Sequence, residues 1–161
     1  MKNFISIHPV LKLLLFISLY STLCFSPVSG EDYSPGDEKE KSYANPFLDE
    51  DHLVILWTNA DRDVALKMIH MYAFNAKRFG WWKEITIIIW GPTAKLVADD
   101  NELQDKFKEL MESGIHVKAC KGCADQYEEV SSKLEAAGID VLYVGKEFTD
   151  YIKSDAHVLT L

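Results

Sequence analysis

Residues 85–92 read ITIIIWGP, and this stretch decides the fold. Its first six residues are β-branched or aromatic, as is typical of a strand, and Gly91 and Pro92 end the run. The run has almost no polar alternation, so both faces of the strand are predicted to be covered, as in a parallel sheet. An earlier apolar run, His52–Thr58, has the same character, and the segment 63–79 between the two carries apolar side chains at roughly helical spacing.

The alternation of helix and strand continues to the end of the chain. Gly114 and Gly138 each follow a helical pattern and precede a β-branched strand, and glycine readily adopts the left-handed conformation that ends a helix. Connections of this kind form right-handed crossovers. We therefore predict a flavodoxin-like or Rossmann-like three-layer α/β sandwich with about five mostly parallel strands over residues 52–161. The later strands are expected at residues 115–120, 141–144 and 158–161, and helices around residues 94–98, 103–111, 127–137 and 148–153.

The composition of the 161-residue chain excludes several classes of protein. Hydrophobic residues make up 48% and charged residues 26%, so the chain is neither wholly disordered nor fibrous. Three cysteines are too few for a disulfide-stapled mini-protein, and a net charge of −8 argues against nucleic-acid binding. The sequence contains neither G-x-G-x-x-G nor G-x-x-x-x-G-K-[ST], the glycine-rich motifs that bind nucleotides. We therefore expect no cofactor.

The first 30 residues have the pattern of a secretory signal peptide. Lys2 and Lys12 supply positive charge, residues 13–25 are mostly apolar, and Val28–Gly30 offers small residues for cleavage after Gly30. The apolar run is shorter than the about 20 residues of a membrane-spanning helix. We expect export to the periplasm or outside the cell. The alternative is that residues 13–25 are retained as an anchor, and only then would the chain be membrane-bound.

Residues 31–51 are predicted to be an acidic flexible tether. They contain eight acidic residues, two lysines, two prolines and a glycine, and their net charge is −6. Such a segment buries too little apolar surface to offset the entropy lost on ordering. The domain that follows, residues 52–161, is only mildly acidic at −4.

Fold topology predicts where a site lies. In an open parallel sheet, ligands bind beyond the carboxyl ends of the strands, where the strand order reverses. With the flavodoxin-like order 2-1-3-4-5, which we assume here, this crevice lies between the first and third strands. The third strand ends at Cys120. The end of the first strand adds four candidate supporting residues, Thr58, Asn59, Asp61 and Arg62.

The loop after the first strand, Asn59–Asp63, has two interpretations. Arg62 and the backbone N–H groups at the helix start would suit an anion. Alternatively, Asp61 or Asp63 caps the helix while Arg62 is solvated, and we favour this interpretation.

The third strand leads into Cys120-Lys121-Gly122-Cys123, a C-x-x-C motif at a helix start. The positive end of a helix and the neighbouring Lys121 both lower a thiol pKa, and the thiolate is the nucleophilic form of cysteine. The motif therefore predicts reactive thiols at Cys120 and Cys123, supported by Lys121. The alternative is that a cysteine at a strand end is buried and inert.

Two other uses of the cysteine pair are less favoured. A structural zinc site needs four ligands, and His116 lies about 13 Å from Cys120 along a strand, too far to share an ion. We expect no metal, unless a site is completed across a subunit interface. Thioredoxin-like proteins also use C-x-x-C at a helix start, but after an early strand and with a downstream cis-proline. Here the motif follows the third strand, and no proline follows Pro92.

Residues 52–161 resemble the DsrE/DsrF-like family of small α/β proteins, which includes sulfur-relay proteins of the DsrE and TusD type. The resemblance rests on the order of strands and helices and on Gly114–Cys120, a strand that starts from a glycine and ends in a cysteine. Leu56–Thr58, Trp90–Pro92 and Cys120–Asp125 are similar to motifs of stand-alone members with paired cysteines. The resemblance implies that Cys120 accepts sulfur as a persulfide, and that the protein forms a homo-oligomer, a trimer or hexamer.

Two functions remain open from the sequence. The first is a sulfur carrier or sulfurtransferase, or a thiol-redox protein, acting with a sulfur donor and acceptor or with a redox partner protein. The second is a non-catalytic oligomeric module that binds a ligand or serves as a scaffold and whose cysteines form a structural disulfide. The second cysteine, Cys123, and the predicted export both depart from the cytoplasmic relay proteins. Trp81 and Trp82 are predicted to lie either in the core or at a subunit contact.

Overall fold

The computed structural model describes residues 51–161. The predicted signal peptide and the tether up to residue 50 lie outside the described residues. Five strands form one sheet in which every neighbouring pair is parallel. The three-layer parallel α/β prediction is thereby confirmed. The strands are β1 (His52–Trp57), β2 (Glu84–Ile89), β3 (His116–Cys120), β4 (Asp140–Leu142) and β5 (His157–Thr160).

The helices fall where the apolar spacing predicts them, with two differences. The helical segment after β1 contains six residues of π-helix in its middle, and Tyr127 lies in a turn rather than in a helix. Glu129 adopts a left-handed conformation (φ 61°), which separates the two short helices on either side. Within residues 51–161, no helix has the length and apolar character needed to cross a membrane. The helices are α1 (Arg62–Val64), the π-helix (Ala65–His70), α2 (Met71–Arg78), α3 (Thr93–Asp99), α4 (Asn101–Glu112), α5 (Lys121–Ala124), α6 (Val130–Ala136) and α7 (Gly145–Ile152).

The strand order is β4-β3-β2-β1-β5, so the assumed order 2-1-3-4-5 is wrong. Three successive connections each step to the next strand in the same direction. The connection from β4 to β5 instead returns across the sheet to the far side of β1. Because parallel crossovers are right-handed, α1 to α6 lie on one face and α7 lies on the other. The sequence pattern does not distinguish the two orders, since each connection carries a helix in either case.

The corrected order moves the expected binding crevice. The chain leaves β3 towards the first face and leaves β4 towards the second face, and these two strands are neighbours. In open α/β sheets, ligands bind where the chain leaves two neighbouring strands towards opposite faces. Cys120 pairs with Leu142 at this edge. Cys120 at the end of β3 still lies at the crevice, but the strand on the other side of the crevice is β4 and not β1.

The two faces of the sheet have different cores. The first face, covered by α1 to α6, is apolar and contains Trp57 stacked on Phe107 of α4, with ring centroids 5.8 Å apart. The second face, covered by α7, has a smaller core that includes Val54, Ile88 and Cys120. The cysteine motif therefore belongs to the thinner side of the molecule.

Candidate functional site

Cys120 and Cys123 lie together at the carboxyl end of β3. Cys120 is the last residue of the strand and is 8% exposed, whereas Cys123 lies in α5 and is half-buried. Cys120 keeps an extended backbone just before the helical turn, and its side chain lies close enough to that of Cys123 for the two thiols to interact. Both cysteines are free thiols. The two sulfurs are thus neighbours that differ in exposure.

The pKa of Cys120 shifts in the direction opposite to the one predicted from the helix start. Burial, and after it the interaction with the neighbouring Cys123 thiol, together raise the pKa of Cys120 to about 11. The backbone N–H groups of Cys123 and Gly122 act in the other direction, although the sulfur makes no capping hydrogen bond of normal geometry. Since α5 is a single turn of four residues, its dipole is too small to offset desolvation.

Lys121 forms part of a polar cluster on the outer side of the motif. Its Nζ lies 2.9 Å from Oδ2 of Asp125, and Ser131 donates a hydrogen bond of 2.6 Å to the same carboxylate. These two contacts, that of Ser131 first, lower the pKa of Asp125. The cluster ties α5 to the start of α6, and Lys121 is not among the main causes of the pKa shift at Cys120.

Aromatic side chains surround the thiols, and the sequence did not single them out as site residues. Trp90, which follows β2, meets Phe148 of α7 edge to face, with ring centroids 5.7 Å apart, and both pack on the second-face core that contains Cys120. Tyr143, which follows β4, is 63% exposed. A Cβ placed on Gly122 would lie 3.9 Å from its ring. The motif Trp90–Pro92 was a signal for the first of these residues, whereas Tyr143 and Phe148 approach the thiols only through the tertiary fold.

A half-buried ion pair holds α7 over the second face. Lys118 precedes Cys120 by two residues and projects from the same face of β3. Its Nζ lies 2.5 Å from Oε1 of Glu147, and the two side chains are only 15% and 12% exposed. Tyr151 donates a hydrogen bond of 2.8 Å to the same carboxylate oxygen, and its ring packs edge to face on His52 at 5.1 Å. These contacts fix the helix that carries Phe148 beside the thiols.

The candidate residues at the end of β1 do not meet the cysteines. Because β2 separates β1 from β3, the two strand ends are about 10 Å apart. The hydroxyl of Thr58 donates to the backbone carbonyl of Leu161, and Asn59 Oδ1 accepts hydrogen bonds from the Trp57 ring and from the backbone N–H of Asp61. These contacts stabilise the loop itself.

The favoured interpretation of the same loop, helix capping, is confirmed. Asp61 is the N-cap of α1 and accepts hydrogen bonds from the backbone N–H groups of Asp63 and Val64 at 2.8 and 3.2 Å. Arg62 is exposed and forms ion pairs with Asp100 and Glu102. The predicted anion contact therefore has no support from this geometry.

The two adjacent tryptophans are divided between core and surface. Trp82 packs against the first-face core and donates a hydrogen bond of 3.1 Å to the hydroxyl of Tyr72. Trp81 is 56% exposed and lines an open groove with Met68 and Met71. The core interpretation thus holds for Trp82, and a subunit contact through the exposed Trp81 stays a prediction.

No group of three or more His, Cys, Asp or Glu side chains able to hold a metal ion occurs among residues 51–161. His116, the histidine considered as a ligand, lies 3.5 Å from the carboxylate of Glu84.

The fold and the site define a small parallel α/β protein with a pair of neighbouring thiols. No family model and no curated protein matches the chain. A solved structure of a conserved protein of unknown function from Bacteroides thetaiotaomicron, BT1422, is 41% identical, with a TM-score of 0.66. The match covers 69% of this chain and 95% of that one. The chain belongs to the family of this Bacteroides protein.

A second solved structure, the ychN protein from Escherichia coli, is 14% identical with a TM-score of 0.49. The match covers 68% of this chain and 98% of that one. A likeness at this level supports no argument about function.

Proposed function

We propose that this protein is a sulfur carrier or sulfurtransferase, or a thiol-redox protein, that works through Cys120 and Cys123, with sulfur held as a persulfide on Cys120. The observation that carries the proposal is the pair of neighbouring free thiols where the connections from β3 and β4 diverge. The resemblance of Gly114–Cys120 to the DsrE/DsrF-like strand, which ends in a sulfur-accepting cysteine, supports the same residue.

The pair allows sulfur to be released as well as held. A thiolate of the second cysteine attacks the inner sulfur of the persulfide, the S–S bond of the persulfide breaks, and hydrosulfide leaves. The two cysteines are then joined in a disulfide. The released sulfur has gained two electrons and the cysteine pair has lost two, so an external dithiol must reduce the disulfide before the next cycle. Such a dithiol protein and a persulfide donor are the partners that we propose.

The burial of Cys120 suits the storage of a persulfide. Thiol exchange requires that a soluble thiol reach the sulfur that is attacked. At 8% exposure, beside Leu142 and within the second-face cluster, a persulfide on Cys120 is protected from small thiols in solution.

The second candidate, a scaffold or ligand-binding module with a structural disulfide, is favoured by the same burial. Structural disulfides have reduction potentials below about −300 mV, and reactive ones have higher potentials. A redox titration of the purified protein against glutathione distinguishes the two candidates. We also propose that the mature protein is exported and forms a homo-oligomer, with the exposed Trp81 and Phe79 as candidates for the contact. The mature N-terminus and the mass in solution test these two proposals.

The direct test of the sulfur function is the intact mass of the reduced protein after exposure to polysulfide. A Cys24→Ser background restricts the chemistry to the pair. One added sulfur that is removed by a dithiol, and that is missing in the Cys120→Ser/Cys123→Ser double variant, is the expected result. A quantitative disulfide that takes up no sulfur and resists glutathione would favour the structural alternative.

A further inference from the structure

We propose that the half-buried Cys123 is the first acceptor of sulfur and that it passes the sulfur inward to the buried Cys120. The inference rests on the proposed function and assigns an order to the two thiols.

The order, Cys123 first and Cys120 second, rests on the difference in exposure between the two cysteines. Cys120 belongs to the buried second-face cluster with Val54, Leu56 and Ile88, and only 8% of its surface is exposed. Cys123 is half-buried and packs against the same cluster from its edge. An incoming donor must place its sulfur in line with the attacking thiolate, and Cys123 offers more room for this approach.

The protonation of Cys120 supports the same order. With its pKa raised to about 11, Cys120 is a thiolate in only about one molecule in ten thousand at pH 7. Burial is the main cause, and a charge on Cys123 raises the pKa further. Cys120 is therefore a poor first nucleophile, while its S–H group remains available as a proton donor.

The sequence of steps balances without an oxidant. The thiolate of Cys123 attacks the outer sulfur of a donor persulfide, the S–S bond of the donor breaks, and the donor leaves as a thiolate. Cys123 now carries the –S–SH group. The sulfur of Cys120 then attacks the outer sulfur of this group, and the proton of Cys120 passes to the departing Cys123 sulfur. The products are a persulfide on Cys120 and a free thiol on Cys123, with no net oxidation or reduction.

The test compares the full-length Cys24→Ser protein with its Cys120→Ser and Cys123→Ser variants. Each is mixed with glutathione persulfide, quenched with an alkylating agent and weighed. We expect Cys120→Ser to take up one sulfur at nearly the parental rate, and Cys123→Ser to be slower by at least about tenfold because the donor must reach the buried thiol. In the parent, the sulfur should appear on Cys123 first and on Cys120 later.

The two cysteines fall in different tryptic peptides, so mass spectrometry can assign an added sulfur to one or the other. Trypsin cleaves after Lys118, Lys121 and Lys133, so the cysteines fall in the peptides 119–121 and 122–133. Alkylation of the parent by iodoacetamide gives a reading that needs no cysteine variant, and here we expect Cys123 to react first. Circular dichroism confirms that each variant is folded.

The outcomes separate the inference from the proposed function. Uptake by Cys123→Ser at the parental rate, together with loss of uptake in Cys120→Ser, would overturn the proposed order while keeping the sulfur function. If the parent takes up no more sulfur than the double variant, the proposed function fails, and the order fails with it.

Discussion

The two faces of the sheet differ in the helices that cover them and in the residues that they bury. On the first face, β1, β2 and β3 present apolar residues to α1 to α6 and the π-helix, and the hydrophobic cluster there is the larger of the two. On the second face, one eight-residue helix, α7, covers a smaller cluster that contains Cys120, next to the ion pair of Lys118 and Glu147. The larger apolar core therefore lies on the first face, and the thiols and the ion pair lie on the second, so we expect stability to depend mainly on the first face. This division is expected to be visible in mutants.

The largest effect is expected from the first face. Phe107→Ala removes a ring that is 2% exposed and stacked on Trp57, and it should lower the free energy of unfolding by about 3–5 kcal/mol. Urea denaturation measures the change. The matched second-face variant is Phe148→Ala, whose partly buried ring should cost less than about 2 kcal/mol. Equal losses for the two variants would contradict the proposed division.

The next largest effect concerns the ion pair under α7. Lys118→Met leaves the carboxylate of Glu147 buried without its cation, which should cost about 3 kcal/mol. We expect Cys120 to become more accessible to iodoacetamide, because α7 is less firmly held over it. The double variant Lys118→Met/Glu147→Leu removes both charges and should recover most of the lost stability. A double variant as unstable as the single one would show that the pair does not act as a unit.

A smaller effect, specific to the thiol site, is the change with pH in stability and in the rate of Cys120 alkylation. Its folded pKa of about 11 is raised above the ordinary value of 9.0. The resulting stabilisation is fully present below pH 9 and is lost as the pH rises through 11, where the buried thiol must ionise. The rate of Cys120 alkylation should therefore still be rising at pH 10 in the folded protein. In urea it should be half-maximal near pH 9 and level off above that pH, and identical profiles in the two states would refute the effect of burial.

The smallest effect is expected at the end of β1. Arg62→Ala removes two exposed ion pairs, with Asp100 and Glu102, and such pairs contribute little to stability. We expect the unfolding midpoint and the rate of sulfur uptake to stay within the error of the parent. A marked loss of sulfur uptake would show that the loop Asn59–Asp63 belongs to the site, contrary to its contacts in the structure.

Local features of the fold were predictable because local sequence determines them. The run ITIII (residues 85–89) lies in β2, and Gly114 and Gly138 end their helices with φ values of 86° and 83°, as their positions suggest. Asp61 caps α1 through contacts that span three residues. The placement of Cys120 at the end of a parallel strand also follows from the chain alone.

Strand order and the inequality of the two cysteines were decided only by the tertiary structure. The pattern of apolar runs is the same whichever strand lies beside which, so the sequence did not show that β2 separates β1 from β3. Lys118 and Glu147 are 29 residues apart, and nothing local indicates that α7 brings them together. A thiol pKa depends on the balance between desolvation and nearby charge. The sequence shows the charge and the helix start, but the burial that outweighs them at Cys120 exists only once the second face has closed over the strand.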